Sequence, residues 1–75
     1  MAKKVLQRVV VTVDDQFLEK IKSVATGLRS AGMQVNKVLP AVGVVSGEVA
    51  QGKMAALKKV KGVASVEIDQ EMQAI

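Results

Sequence analysis

Apolar residues recur along this 75-residue chain with two spacings, one typical of strands and one typical of helices. Segments with the two spacings follow one another in a definite order. The valine-dominated run at residues 5–13 is rich in β-branched side chains, which predicts a strand buried on at least one face. Asp14 or Asp15 can then cap a helix. The apolar face of that helix repeats at intervals of four, three and four residues, at Phe17, Ile21, Val24 and Leu28. Gly32 stands where a left-handed residue would end it.

Alternation typical of strands resumes after Gly32. Met33, Val35 and Lys37 alternate with Gln34 and Asn36, as in a strand with one covered face. Residues 39–42 contain a proline and are predicted to connect a hairpin, and residues 42–49 form the next valine-rich strand. Because Gly43 and Gly47 interrupt that strand, they predict a close backbone approach or a bulge.

The last third of the chain repeats the helix-then-strand order. Met54, Leu57 and Val60 predict a shorter helix that Gly62 ends, and residues 63–69 alternate again. The order βαββαβ predicts an α+β, ferredoxin-like domain, with a four-stranded antiparallel sheet and two helices on one face. A chain of this length buries enough surface for one domain, so residues 1–75 are predicted to form a single unit.

The composition excludes several kinds of chemistry. The chain has no cysteine and no histidine, so it can form no disulfide, no zinc site based on thiolate or imidazole, and no Cys-His or Ser-His dyad. A Schiff-base lysine would need a desolvated pocket that the pattern does not provide. We therefore expect a protein that is not an enzyme, with no catalytic residue, metal or cofactor.

A net charge of +4 and a pI near 9.7 raise the question of an anionic partner. Phe17 is the only aromatic residue, so the base-stacking surface of common RNA- and DNA-binding domains is missing. The lysines of the second helix (Lys53, Lys58, Lys59 and Lys61) are typical of a solvated amphipathic helix, and lysines suit a helix C-terminus. We expect no nucleic-acid partner.

The sequence also predicts where in the cell the protein is located. The apolar run near the start is short, is followed at once by Asp14 and Asp15, and has no small-residue cleavage site, so we predict no signal peptide. The longest uncharged stretch, residues 38–47, is well below the roughly 18 residues of a membrane span. A soluble, cytoplasmic protein with no membrane partner is expected.

Acidic residues near the end of the chain form a pattern of their own. Glu67, Asp69 and Glu71 are two residues apart, which on an extended chain places them on one side, opposite Val66 and Ile68. Such a stripe can be a soluble strand edge that discourages aggregation, or it can bind donors on a partner such as exposed helix N-termini. Residues 70–75 have no cap, turn residue or strong periodicity, which predicts a terminal tail.

Two segments carry a resemblance to a known family: LKK at residues 57–59 and VASVEID at residues 63–69, with six more residues to the end. This ending resembles that of subtilisin propeptides and of their stand-alone proteinase-inhibitor relatives. The resemblance spans nearly the whole chain in pattern, but only residues 57–69 are specific. It implies the same βαββαβ plan, inhibition of a subtilisin-like serine protease, and some ability to assist the folding of that protease. Since the chain ends where a protease domain would begin, it resembles the free-standing inhibitors.

The resemblance also implies a docking mode. In that family the uncovered sheet face docks on two surface helices of the protease, and acidic residues of the last strand cap those helices. The matching positions are Glu67 and Asp69. Val44 and Ser46 are expected to point away from the helices and to lie on the same docking face.

The end of the chain would then enter the protease active site. The family's tail binds there as an extended, product-like strand whose side chains fill alternate pockets. By this match Ile75 faces the primary specificity pocket and Met72 the fourth, with Gln73 and Ala74 between them. Ile75 departs from the family, because it is β-branched and stiff, whereas many of these pockets favour unbranched or aromatic side chains.

A second function stays open at this point. A ferredoxin-like domain can use its bare sheet face to form a homodimer, or to bind another protein, without any protease target. The oligomeric state distinguishes the two hypotheses, because a tight homodimer would hide the face that an inhibitor needs.

Overall fold

The computed structural model describes residues 6–68 and contains four strands and two helices. A short 3-10 helix leads into each α-helix, at Asp15–Lys20 and at Gln51–Lys53. The main elements are β1 (Leu6–Val13), α1 (Ile21–Ser30), β2 (Met33–Leu39), β3 (Val44–Ala50), α2 (Met54–Lys58) and β4 (Val63–Ile68). The predicted βαββαβ order is confirmed.

The four strands form one antiparallel sheet in the order β2-β3-β1-β4. The first and third strands of the sequence are therefore central, and β2 and β4 are the two edges. Helix α1 packs beside β2, and α2 packs beside β4. This is the predicted α+β, ferredoxin-like arrangement. Within residues 6–68, no helix is long and apolar enough to cross a membrane.

The core lies between the sheet and the two helices. Every second residue of β3 is buried, and the same alternation covers Val9, Val11 and Val13 of β1. The buried hydrophobic side chains are Val9, Val11, Val13, Ile21, Val24, Ala25, Leu28, Met33, Val45, Val49 and Leu57. No polar or charged side chain is buried among the described residues, so packing of apolar side chains supplies the cohesion of the fold.

The predicted boundaries of the first helix have a physical basis in the structure, whereas the second helix ends earlier than predicted. A carboxylate oxygen of Asp14 accepts a hydrogen bond from the Gln16 N–H at 2.9 Å, which confirms the predicted cap. Gly32 follows the C-cap of α1 with a φ angle of 109°, a value that favours glycine, as predicted. The prediction that Gly62 ends the second helix is wrong, because Gly62, with a φ angle of 96°, lies in the turn before β4. The second helix is shorter than its apolar spacing suggests, because α2 ends at Lys58 and Val60 lies beyond it.

The regular alternation of β2 ends at Val35. Val35 pairs with Gly47, but the next pair joins Lys37 to Ser46, so Asn36 is an extra residue that forms a β-bulge. The bulge reverses the alternation, which turns Lys37 away from the core and places half-buried Val38 on the core side. A charged ammonium group on the covered face would lose its hydration without a partner, and the bulge avoids that cost.

Gly47 allows the backbones of β3 and β2 to come close together. A Cβ atom built on Gly47 would collide with the backbone carbonyl oxygen of Gln34 and would lie 3.0 Å from the Met33 Cε. The predicted close approach at Gly47 is thus confirmed, whereas Gly43 lies in the turn before β3 and bonds through its carbonyl to the Val13 N–H at 2.8 Å.

We expect Gly47→Ala to lower the free energy of unfolding by about 1–3 kcal/mol, because the colliding atom belongs to the backbone of a paired strand. Gly52→Ala is the matched control, since no atom lies within 4 Å of a Cβ at that position. It should leave the stability unchanged or raise it slightly. Urea denaturation followed by circular dichroism measures both, and equal stability of the two variants would contradict the close approach.

Candidate protein-binding face

The sheet face opposite the helices is uncovered by any other described part of the chain, and we call it the open face. Residues directly paired across antiparallel strands share a face, so the register identifies its members. Val44, Ser46 and Glu48 of β3 alternate with the buried Val45, Gly47 and Val49. The expectation that Val44 and Ser46 point away from the helices is met, and both are half-buried.

The middle of the open face is a row of four residues, one from each strand. Ser46 of β3 pairs with Lys37 of β2 on one side and with Val10 of β1 on the other, and Val10 pairs with Glu67 of β4. We call these four residues the central row. Its two ends, Lys37 and Glu67, are both exposed and carry opposite charges on opposite edges of the sheet.

Glu67 is the one acidic residue of the predicted docking set that the structure describes. It is exposed on the edge strand β4, beside Val10 on the open face. The other predicted site residues at the end of the chain lie outside the described residues; they are Asp69, Met72, Gln73, Ala74 and Ile75. The structure therefore brings Glu67 onto one face with Val44 and Ser46.

A second pair of charges lies one row further along the face. Arg8 pairs with Glu48, and the Arg8 Nε lies 3.9 Å from a carboxylate oxygen of Glu48. The two side chains are 49% and 27% exposed, so water screens the attraction between them. Within residues 6–68 this is the only salt bridge.

Apolar side chains are exposed near both ends of the open face. Leu6 is 48% exposed at one end. At the other end Leu39, which pairs with Val44, is 41% exposed, and Val42 of the adjoining turn is 67% exposed. The face thus combines charged rows with exposed aliphatic groups, a composition that suits contact with another protein.

The helix side of the domain carries the lysines of the second helix. No group of three or more potential metal-ligating side chains occurs in the described part of the chain. Lys53 is exposed, and its side chain lies beside Gly32, where an added Cβ would be 3.0 Å from the Lys53 Cδ. That position brings a cation to the C-terminus of α1, where it complements the helix dipole. Lys58, Lys59 and Lys61 are exposed.

Sequence reasoning did not identify Lys37 and Arg8 as members of the open face. Lys37 is displaced by the bulge at Asn36, and no pattern in the sequence marks that bulge in advance. The alternation of β1 would have placed Arg8 opposite Val9, and that signal was available.

Comparison with known proteins finds no match: no family model, no curated protein and no solved structure is significantly similar to this chain. The relationship to subtilisin-propeptide-like inhibitors therefore rests on residues 57–69 and stays a prediction.

We expect the Arg8–Glu48 pair to contribute no more than about 0.5 kcal/mol to the free energy of unfolding, because the pair is long and solvated. A double-mutant cycle with Arg8→Gln and Glu48→Gln, measured by urea denaturation, gives the coupling energy directly. A coupling above about 1 kcal/mol would show that the pair is a structural requirement of the sheet.

Proposed function

We propose that this domain inhibits a subtilisin-like serine protease, which it contacts through the open face and through residues 69–75. One observation carries the proposal: Glu67 is exposed on the open face of an edge strand, directly before the segment that would reach the active site. The sequence resemblance assigns docking roles to Val44, Ser46, Glu67 and Asp69. Three of these four residues are described, and they share one face.

The shape of the open face supports docking on a pair of helices. Strands lie about 4.8 Å apart, so the axes of the two edge strands are about 14 Å apart. Two packed helices have axes about 8–10 Å apart and fit within that width. The side chains of Val44 and Ser46 are short, which lets helix backbones approach the centre of the sheet.

The chemistry of Glu67 supports the same partner. A helix N-terminus has backbone N–H groups without internal acceptors and carries a partial positive charge. An exposed carboxylate can accept hydrogen bonds from those groups and can balance that charge. Glu67 has no salt bridge with another residue in the range 6–68, so its carboxylate is available for this contact.

The length of the following segment is sufficient for a product-like tail. Seven residues, 69–75, follow Ile68 in the sequence, and fully extended they span at most about 25 Å. An extended peptide can add to a strand of the protease and can place alternate side chains in its pockets. In this proposal Met72 is the apolar anchor, Gln73 and Ala74 lie between the pockets, and Ile75 faces the primary specificity pocket.

We expect Glu67→Gln to weaken inhibition about fivefold, because a neutral amide loses the interaction with the helix dipole, worth about 1 kcal/mol. Glu19→Gln is the matched control. It removes the same charge from an exposed position on the helix side and should leave inhibition unchanged. Inhibition constants against a panel of subtilisin-like proteases measure the effect, and equal losses for both variants would argue against docking through the open face.

Removal of residues 72–75 tests the tail separately. We expect the shortened chain to remain folded and to lose most of its inhibition, because binding through the open face alone leaves the active-site cleft accessible. The measurement is residual activity on a small chromogenic substrate, with circular dichroism as the control for folding. The proposal fails if the intact chain inhibits no member of the panel at micromolar concentration, or if the shortened chain inhibits equally well.

A further inference from the structure

We infer that the open face also binds the open face of a second copy, in a dimer whose twofold axis runs parallel to the strands between β1 and β3. This inference does not rest on the proposed inhibition. The inference depends on the charges of the open face. Within each row of paired residues, the charge on one side of the axis is opposite in sign to the charge on the other side.

The central row shows the pattern most clearly. It runs from Lys37 on β2 through Ser46 and Val10 to Glu67 on β4. A half-turn about the proposed axis exchanges β2 with β4 and β3 with β1. Lys37 of one copy then lies across from the partner's Glu67, and the same contact is repeated by symmetry.

The neighbouring row also has opposite charges on the two sides of the axis. Arg8 lies on β1 and Glu48 on β3, on opposite sides of the proposed axis. The half-turn brings Arg8 of one copy over the partner's Glu48. All four charges identified on the open face among residues 6–68 therefore meet a charge of opposite sign.

The charges also argue against a dimer whose twofold axis crosses the strands. An axis that crosses the strands along the central row would place β2 on β2 and β4 on β4. Lys37 would then face the partner's Lys37, and Glu67 the partner's Glu67, and such like-charge contacts are unfavourable.

The proposed axis, parallel to the strands, stacks two sheets with nearly aligned strands, which is a common packing in sandwich proteins.

The exposed aliphatic groups add an attraction that charge alone would not supply. Leu6 and Leu39 lie on the open face and are 48% and 41% exposed. In the dimer Leu6 lies over the partner's Ala50, because Leu6 and Ala50 are paired. Leu39 lies over the partner's Ser65, because the pairings of β2 with β3, β3 with β1 and β1 with β4 place both residues in one row. Small side chains opposite leucine leave room for it.

The size of the face limits the affinity. Four strands of about seven residues cover about 19 Å by 23 Å, so a dimer would bury about 900 Å² in total. Stable interfaces bury about 1,200–2,000 Å². The dimer is therefore a weak, concentration-dependent one, which dissociates when the protein is dilute.

Charge reversal provides a test with an internal control. In Lys37→Glu alone both edge contacts become Glu against Glu, and in Glu67→Lys alone both become Lys against Lys. In an equimolar mixture of the two variants, each heterodimer regains two attractive contacts. Sedimentation equilibrium of the full chain, from about 5 µM to 1 mM at low salt, should show association weakened at least tenfold for each variant and restored by mixing.

Two further measurements complete the test. The double variant Lys37→Glu with Glu67→Lys should associate with itself as the natural chain does, because the charges are only exchanged. Lys22→Glu and Glu19→Lys make the same charge changes at exposed positions on the helix side, and they should leave association unchanged.

The inference is overturned if the natural chain is monomeric at 1 mM, if either single reversal associates normally, or if mixing restores nothing. These outcomes are independent of the proposed inhibition, since no protease is present. Inhibition in turn is measured at no more than micromolar protein concentration, below the range in which the weak dimer forms, so failure of one proposal leaves the other intact.

Discussion

Burial of alternate valines on the two central strands is the interaction on which the rest of this structure depends. Val9 and Val11 of β1 and Val45 and Val49 of β3 are almost fully buried, against the apolar side chains of both helices. The chain has no disulfide, and no polar or charged side chain is buried within residues 6–68, so this packing is the main source of cohesion. Because side chains alternate along a strand, burial of these valines also determines which residues face the other side of the sheet.

The open face follows from that arrangement. Val10 and Ser46 cannot turn inward without exposing their buried neighbours, so the centre of the face consists of small, half-buried groups. Lys37 and Glu67 lie at the edges because β2 and β4 are the outer strands, whereas Arg8 and Glu48 lie on the central strands. A protease and a second copy would use the same surface, and both proposals depend on Glu67. The weak dimer would therefore compete with inhibition only when the protein is concentrated.

Most of the fold could be predicted, because its signals are local. Asp14 as a cap, Gly32 as the end of α1 and the valine alternation each act over a few residues, and the structure confirms them. The length of α2 was harder to predict, because apolar spacing continues to Val60 although the helix ends at Lys58. The bulge at Asn36 could not be predicted either, since it depends on how β2 meets β3. For the candidate site, the alternation predicts that Val44, Ser46 and Glu67 share a face, as the structure has it, whereas their role in docking stays a prediction and the tail positions lie outside the described residues.

By itself the sequence determined the order of elements, much of the core and the absence of thiol and imidazole chemistry. Those properties depend on residue type and on spacing along the chain. Only the tertiary structure decided that Lys37 and Glu67 stand at opposite ends of one row, because strand order and the bulge bring together residues that are thirty positions apart in sequence. Strand pairing joins residues that are far apart in sequence, and it thus brings these charges onto one face in a symmetric pattern.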